Sequence, residues 1–166
     1  LATTRGTNSL LMRRGARVAL FITAGFADLL AIGDQSRPDI FALRIDKPLP
    51  LHEHVVEVHG RLDFIGAEIE PLDIPAVRVA ARNLVSAGIR TAALSLLHST
   101  ANPNHEREIA EVLREEGFTH VSCSSELSES PGLLTRTRTA VVNAFLAPEI
   151  DGYLRAVARA LEASGV

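Results

Sequence analysis

Two histidines seven residues apart, in the stretch LLHSTANPNHERE, are the first side chains of this sequence that could do chemistry. His98 follows an apolar run, and His105 lies in the first turn of a predicted helix that starts at Asn102 and Pro103. Asparagine caps free backbone N–H groups and proline suits the first turn, while Glu106 would meet the helix dipole favourably. Two interpretations stay open. The stretch is either a loop whose polar residues satisfy backbone groups, or a site in which a histidine acts on a ligand.

A second histidine pair, in the tripeptide His-Glu-His, places His52 and His54 on one face of a predicted strand. Side chains in a strand repeat every two residues, so both imidazoles point the same way. Such a pair binds zinc only with a further ligand. His59 has the wrong parity in an unbroken strand, so a solvated strand is favoured over a metal site.

The last third of the chain contains two further polar patterns. The stretch SSELSESP (124–131) follows a predicted strand, and it either binds a ligand or caps the next helix. In TRTRTAVVN, Arg136 and Asn143 lie seven residues apart on one helix face, with Thr139 near that face. This polar ladder contacts either a substrate or neighbouring backbone groups.

For anions, the sequence offers a loop arginine but none of the familiar phosphate motifs. Arg37, in QSRP, either clamps a carboxylate or phosphate with both arms of its guanidinium or lies on the surface. There is no Walker A sequence, no GxGxxG, no GxSxG and no HExxH. Cys123 falls in a buried strand pattern, which favours a packing role over a nucleophile.

The composition excludes several classes of function. With 166 residues, 46% of them apolar, the chain suits one domain with a real core. A net charge of −3 gives no reason to expect nucleic-acid or anionic-membrane binding. A single cysteine precludes an intrachain disulfide and fits a cytoplasmic protein. No apolar run approaches the roughly 20 residues of a membrane span, and no signal-peptide pattern opens the chain. Because the sequence starts without Met, we expect a fragment of a longer protein.

Apolar periodicity and turn residues predict the elements that must position these side chains. Helices are predicted at 7–14, 25–33, 103–116 and 135–146. Gly15 should adopt the left-handed conformation that ends the first of them. A further helix should begin at its cap, Asp73, and a last one at Pro148. Buried strands are predicted at 17–23, 89–97 and 120–125.

These elements predict an α/β fold with a mainly parallel sheet, flanking helices and a β-hairpin insertion. The core comprises residues 1–47 and 73–166 of a single domain, and the hairpin comprises residues of about 50–72. Ligands of such sheets bind beyond the carboxyl ends of the strands. Residues 23–25, 97–102 and 124–129 should therefore lie near any site.

Several stretches together resemble the N-terminal region of the hydantoinase A/5-oxoprolinase family. They are TTRGTNSLLMRRGARVALFITAGFADLLAIGDQSRPDIF, LLHSTANPNHE, SSELS and RTRTAVVNAFL, in the same order and with similar spacing. That family includes ATP-dependent N-methylhydantoinases, 5-oxoprolinases and subunits of acetone and acetophenone carboxylases. The resemblance implies an actin/sugar-kinase/Hsp70-like fold. It also implies ATP and Mg as cofactors, with a lactam or ketone oxygen activated by phosphorylation before hydrolysis or carboxylation.

The resemblance also implies partners and a site. The implied substrate is a cyclic amide or ketone, and the implied protein partner is a hydantoinase B-type subunit or fused domain. The enzyme is expected to be oligomeric and to bind neither nucleic acid nor a membrane. The implied nucleotide and substrate cleft contains Thr3, Thr4, Asn8, Arg37, His98, His105, Arg136, Thr139 and Asn143, while no catalytic residue is assigned. Pro38, Asn102, Pro103, Glu106 and Thr137 match the same motifs.

The sequence departs from the family pattern at several places. It lacks the glycine-rich phosphate loop DxGGTxTD, and Leu1 and Ala2 stand where a histidine-glycine pair usually precedes TT. GLLTR replaces REYER, and Asp34 replaces the arginine of GRQ. Phosphate cradles need converging backbone N–H groups and glycines. The isolated chain should therefore be inactive and bind ATP weakly or not at all.

Three functional hypotheses remain open at this point. The chain is a domain of an ATP-dependent cyclic-amide hydrolase, the matching domain of a ketone carboxylase subunit, or a non-catalytic scaffold or interface module.

Overall fold

The computed structural model describes residues 4–34, 41 and 48–163. The elements in chain order are α1 (Arg5–Leu11), β1 (Val18–Thr23), α2 (Leu29–Ile32), β2 (His52–Val58), β3 (Arg61–Leu62), β4 (Glu68–Glu70), α3 (Ile74–Ser86), β5 (Thr91–Ser95), α4 (Asn104–Glu115), β6 (His120–Cys123), α5 (Ser124–Leu127) and α6 (Leu133–Ala163).

The main sheet has four strands in the order β2-β1-β5-β6, and all of its neighbours run parallel. Val18 of β1 lies level with His52 of β2 and Thr91 of β5, and Thr91 lies level with His120 of β6. The strands therefore start together and bring their carboxyl ends to one edge. The α/β prediction is confirmed.

Helices cover both faces of the sheet, which explains why β1 is apolar without alternation. All six residues of β1 are buried. Ala19 and Phe21 point into a core shared with α3 and α4. Val18, Leu20 and Ile22 point into the core beneath α6, where Ala140, Val141, Ala144 and Phe145 pack.

The direction of winding changes between β1 and β5. The connection from β1 to β2 carries α2, whose Leu29 and Leu30 pack on the α6 side. The connections that contain α3 and α4 run on the other face and lead to β5 and β6. In open α/β sheets a crevice forms where the winding reverses, beyond the carboxyl ends of the two strands. Here that place is the edge above Thr23 and Ser95.

The hairpin insertion is present but shorter than predicted. Residues 52–58, assigned from sequence to one arm of the hairpin, form β2 and pair in parallel with β1. The antiparallel hairpin comprises β3 and β4 only. Alternating polarity marks a half-exposed strand but does not reveal its partner. Here β2 is an edge strand, so its exposed residues resemble those of a projecting arm.

Several other local predictions changed. The helix predicted at 25–33 is reduced to α2, and the strand predicted at 120–125 ends at Cys123, where α5 follows. The two predicted C-terminal helices form one, because α6 continues through Pro148. A proline inside a helix removes one backbone hydrogen bond. Helix α1 packs along α6 close to Pro148. Helix α1 covers 5–11 rather than 7–14, and Arg13, not Gly15, adopts the left-handed conformation after it, with φ of 51°.

Other predictions are confirmed. Asp73 caps α3 by accepting a hydrogen bond from the Ala76 N–H at 3.0 Å. The strand-helix-strand unit β5-α4-β6 has parallel strands, and Cys123 is buried.

Among residues 4–34, 41 and 48–163, no helix combines the length and the apolarity that crossing a membrane would require.

Candidate functional site

The crevice between β1 and β5 has a hydrogen-bonded polar floor. Thr23 Oγ1 accepts a bond from the Leu97 N–H at 2.9 Å, which joins the ends of the two strands. On the other side of β1, the Gly25 N–H donates to Glu57 Oε1 at 2.7 Å. Gly25 has a φ of +89°, and apart from its chain neighbours no described residue has an atom within 4 Å of where a side chain at Gly25 would begin. The ends of β1, β2 and β5 are therefore joined by hydrogen bonds at this edge.

Glu106 lies below the neighbouring loops and is fully buried. Its Oε1 accepts hydrogen bonds from the Leu96 N–H at 2.9 Å, Ser99 Oγ at 2.8 Å and Ser124 Oγ at 2.7 Å. Its Oε2 accepts from the N–H of Ser125 at 2.9 Å and from its Oγ at 2.7 Å. One carboxylate thus ties the loop after β5 to the turn after β6.

Arg136 reaches the same serines from α6, and it too is fully buried. Its Nη1 donates to Ser99 Oγ and Ser124 Oγ, each at 2.6 Å, and its Nη2 donates to the Leu96 carbonyl at 3.0 Å. Glu106 Oε1 lies 3.8 Å from Nη1. Burial lowers the pKa of Arg136, and the charge of Glu106 opposes that shift. We call Glu106, Arg136, Ser99, Ser124 and Ser125 the Glu106–Arg136 network.

The network restricts the direction of two hydroxyl groups. Because Arg136 donates to Ser99 and Ser124, their oxygens act as acceptors toward the guanidinium. The hydrogen of Ser124 is available to Glu106, whereas that of Ser99 has two acceptors, Glu106 and the Leu96 carbonyl at 3.0 Å. Arg136 Nε is buried without a hydrogen-bond partner among residues 4–34, 41 and 48–163. A buried guanidinium is costly unless its neighbours compensate the charge. This arrangement therefore suits a rigid support more than a mobile ligand clamp.

His98 lies in the loop that the network supports. Its φ is +61°, and its carbonyl accepts bonds from the N–H groups of Ala101 at 2.9 Å and Asn102 at 3.2 Å. A positive φ is uncommon outside glycine, and strained residues of this kind cluster at functional sites. The half-buried imidazole makes no hydrogen bond to any residue that the structure describes. Its ring nitrogens are therefore available to a ligand that reaches the loop after β5.

His105 and Asn102 point instead toward the hairpin. His105 is buried, and its Nε2 lies 2.8 Å from Oε2 of Glu68 on β4. Asn102 Nδ2 donates to the Gly66 carbonyl at 2.9 Å, and its Oδ1 accepts the Asn104 N–H at 3.1 Å. Both residues therefore hold structure together in this chain. Of the two histidines in LLHSTANPNHERE, only His98 has an imidazole that makes no hydrogen bond to the described residues.

The predicted polar ladder on α6 is only partly present. Arg136 and Asn143 both face β6, where Asn143 Nδ2 donates to Ser122 Oγ at 3.0 Å. Thr139 is exposed and bonds the Thr135 carbonyl of its own helix at 3.1 Å. Asn143 therefore bonds a neighbouring side chain, whereas the contacts of Thr139 stay within α6.

Thr4 and Asn8 lie at the opposite edge of the sheet from His98. Thr4 precedes α1 and Asn8 belongs to it, and α1 leads into the start of β1. Six strand residues span roughly 16 Å, so these residues do not share a site with His98 in this chain. Thr3 and Arg37 lie outside the described residues.

A cavity of about 620 Å³ is present at this amino edge, between α1 and α6. Its lining includes Asn8, Arg14, Ala16 and Pro148. Its ionisable side chains are exposed, whereas the buried charges lie at the carboxyl edge. Exposed charges are screened by water and perturb ligand chemistry little. We therefore place the candidate site at the carboxyl edge of the sheet and not in this cavity.

The sequence interpretation missed the role of Glu106 and the serines. Glu106 was interpreted as a dipole partner, and SSELSESP as a cap or a ligand site. The available signal was positional, since Ser99, Glu106 and Ser124 all follow buried strands that end at one edge. Their contacts span 18 and 19 residues between Glu106 and the serines after β6, which no local pattern reveals.

A Mg-ATP site needs ligands for the metal ion and backbone groups for the phosphates. No group of three or more His, Cys, Asp or Glu side chains in the described ranges is arranged to hold a metal ion. His52 and His54 are among these side chains, and they have no third ligand in the described ranges. Burial lowers the pKa of His52. The sequence also contains no glycine-rich phosphate loop.

The chain is similar in sequence and in structure to several known enzymes. The chain is 36% identical over 188 residues to 5-oxoprolinase of Saccharomyces cerevisiae, which covers 97% of this chain and 15% of that protein. It is 35% identical over 182 residues to the acetophenone carboxylase gamma subunit of Aromatoleum aromaticum, covering 99% and 25%. The crystal structure of an ATP-dependent caprolactamase from Pseudomonas jessenii matches with a TM-score of 0.83 and 30% identity, over 97% of this chain and 24% of that one.

The fold and the family agree. The structural match confirms a mainly parallel sheet with flanking helices, consistent with an α/β actin-like fold. The chain spans a quarter or less of the length of these relatives. A model of the hydantoinase/oxoprolinase N-terminal region matches residues 1–117. On this match and the identities to its relatives, the chain belongs to the hydantoinase/oxoprolinase family.

Proposed function

We propose that this chain is the N-terminal region of an ATP-dependent enzyme that opens a cyclic amide, such as a hydantoin or 5-oxoproline, through a phosphorylated substrate. Two relatives support a cyclic-amide substrate, because 5-oxoproline and caprolactam both contain an amide within a ring. The structural observation that carries the proposal is the Glu106–Arg136 network, which fixes the loops around the crevice between β1 and β5. Rigid support of this kind is what a precisely shaped site requires.

Within this proposal, the predicted cleft residues have different tasks. His98 contacts the substrate or nucleotide, since its imidazole is free and its backbone is held by the loop. Arg136 positions the loops and does not contact the substrate, because both of its Nη atoms are already bonded inside the protein. His105 supports the site indirectly, by holding the hairpin against α4. Asn143 supports it indirectly, through its hydrogen bond to Ser122 of β6.

The remaining assignments depend on the complete protein. ATP and Mg would bind with residues beyond those of this chain, since the described residues do not fit them. Thr3, Thr4, Asn8, Arg37 and Thr139 remain predicted members of a cleft that further parts of the protein complete. A partner subunit and an oligomeric, cytoplasmic enzyme remain part of the same proposal.

One alternative has its own support. The acetophenone carboxylase gamma subunit covers 99% of this chain, so the chain is alternatively the matching domain of an ATP-dependent ketone carboxylase. A hydrolase should need no bicarbonate, whereas a carboxylase should need it for turnover. A scaffold or interface module would show no substrate-dependent ATP hydrolysis.

ATP hydrolysis by the complete protein tests the proposal. We expect hydrolysis that depends on a cyclic amide and proceeds without bicarbonate. His98→Ala should lower kcat/KM by roughly 100-fold, as expected for the loss of a positioned polar group. Thr100→Ala is the matched control, because Thr100 is an exposed polar residue of the same loop. The proposal fails if no cyclic amide stimulates hydrolysis, and the role of His98 fails if its variant matches the control. Unchanged turnover in Arg37→Ala or Asn143→Ala would remove those two residues from the site.

A further inference from the structure

The β3–β4 hairpin exposes three large apolar side chains within six residues. Phe64 is 80% exposed, Ile65 is 69% exposed and Ile69 is 61% exposed. We call these three residues the hairpin tip. Single exposed apolar residues are ordinary, but a cluster of large ones on a projecting element is typical of a protein contact.

The hairpin is held rigidly against the loop that precedes α4. Asn102 bonds the Gly66 carbonyl at 2.9 Å, and His105 lies 2.8 Å from Glu68. The turn is closed by Asp63, whose Oδ1 accepts two backbone N–H groups at 2.8 and 3.0 Å. A surface that is ordered before binding loses little conformational entropy when a partner covers it. The hairpin tip is therefore prepared for docking.

The surrounding charge restricts the partner. The hairpin itself, residues 61–70, contains three acidic residues and one basic residue, Arg61, for a net charge of −2. The acidic residues are Asp63, Glu68 and Glu70, and the last two flank Ile69. A second copy of this hairpin, or an anionic membrane, would meet like charge. A complementary partner carries basic residues around an apolar pocket.

We propose that the hairpin tip docks a separate subunit of the assembled enzyme, which covers Phe64, Ile65 and Ile69 with an apolar pocket rimmed by Lys or Arg. The acetophenone carboxylase relative is itself the gamma subunit of its enzyme, so a protein with this region works beside other subunits there. The hairpin rests on the loop that leads into α4, and α4 carries Glu106. Docking therefore takes place next to the candidate crevice. The proposal goes beyond the chemistry of the site and does not require it.

Site-specific crosslinking in the complete protein tests the contact. A photoreactive phenylalanine analogue replaces Phe64, and the assembly is purified from its native cells before irradiation. We expect a crosslink to a different polypeptide that is present in fixed stoichiometry, in a peptide with apolar and basic residues. The same analogue at Val79, which is 59% exposed on α3, should not reach that peptide. A crosslink within the same polypeptide, to a second copy, or to nothing would overturn the proposal.

Binding of the crosslinked subunit by the complete protein, measured by surface plasmon resonance, tests the energetics. Phe64→Ser together with Ile65→Ser should weaken binding roughly 100-fold, since buried aromatic and aliphatic anchors dominate interfaces. Glu70→Lys should weaken binding most at low salt, because it reverses one charge of the acidic surface. Val79→Ser is the control and should bind normally.

Separate measurements keep the two proposals apart. Circular dichroism checks that each variant is folded, which is expected because every substituted residue is exposed. Unchanged affinity in the folded double variant would overturn the docking site. Failure of cyclic amides to stimulate ATP hydrolysis would overturn only the proposed chemistry, because the crosslink and the affinities do not depend on it.

Discussion

Glu106 brings five hydrogen bonds and a neighbouring guanidinium to one buried carboxylate. From sequence it resembles any acidic residue in a first helical turn. Its partners come from three segments, the loop after β5, the turn after β6, and α6. Removing one member of a buried charged network leaves the others desolvated and unpaired, which costs more than the network gains in stability.

Glu106→Gln is expected to lower the free energy of unfolding by about 3 kcal/mol or more. The amide keeps one acceptor oxygen, its NH2 group faces donors, and Arg136 loses its countercharge. Urea denaturation of the chain measures this, with Glu108→Gln as the control. Glu108 is exposed on the same helix, so that change should fall within about 0.5 kcal/mol. Equal stability of the two variants would show that the network is no anchor.

Cys123 should be chemically silent in the folded chain. Burial first, and then the charges of Glu126 and Glu106, raise the pKa of its thiol to about 12. At pH 8 the thiolate fraction falls roughly 1000-fold relative to an ordinary thiol, and only the thiolate reacts. Because this is the single cysteine, Ellman's reagent should react slowly in buffer and stoichiometrically in urea. Fast reaction of the native chain would contradict the burial of β6.

The raised thiol pKa also predicts a pH dependence. The folded state favours the neutral thiol, so this contribution to stability is complete below the ordinary pKa of the thiol. It is lost as the pH rises toward 12.

At the scale of elements, the hairpin and α4 are joined by contacts that only certain side chains permit. Gly66 has a φ of +88°, and an added side-chain carbon would lie 2.9 Å from Cβ of Asn102. That carbon would also push against the loop whose next residues lead to His105. The hairpin therefore depends on a glycine at this turn.

Gly66→Ala should destabilise the chain by about 2 kcal/mol, from backbone strain together with the close contact. Gly152→Ala is the matched control, because Gly152 lies within α6 and, beyond the backbone of its own helix, no described residue has an atom within 4 Å of its added carbon. The control should stabilise the chain by about 0.5–1 kcal/mol, since alanine favours helix. Thermal unfolding of both variants gives the signs. A stable Gly66→Ala variant would mean that the hairpin does not pack on α4.

Strands that are buried on both faces could be predicted from sequence. The pairing of a half-exposed strand with its neighbour could not. The uninterrupted apolar run of β1 indicated a strand inside a parallel sheet, and the structure confirms it. The polar alternation of β2 is compatible with a hairpin arm or an edge strand. Only pairing with β1 distinguishes the two. Pro148 was predicted to start a helix, because the loss of a helical hydrogen bond at a proline can be recognised from sequence. The packing around α6, which continues through Pro148, cannot be recognised in that way.

At the scale of the whole molecule, our proposal gives this chain one side of a site that other parts of the protein complete. Its described residues include no arrangement able to hold a metal ion. Its sequence contains no glycine loop for phosphates. The long relatives that it matches cover it almost completely, while it spans a quarter or less of their length.

The isolated chain should bind Mg-ATP with a millimolar dissociation constant or more weakly. Phosphate binding depends on converging backbone N–H groups and close approach at glycines, and the sequence contains no glycine-rich phosphate loop. Calorimetric titration measures the affinity, with the complete protein as the positive control. Micromolar binding by the isolated chain would contradict the inference that other parts of the protein complete the nucleotide site.

The sequence by itself determined the α/β class, the buried strands, the Asp73 cap and the family resemblance. Each of these depends on local backbone sterics, on the period of apolar residues or on short motifs, all of which are written along the chain. Only the tertiary structure decided that Arg136 reaches the Leu96 carbonyl across 40 residues, that His105 belongs to the hairpin, and that Thr4 lies far from His98. Those outcomes depend on which strands pair and which faces meet, and that choice is made by packing of the whole domain.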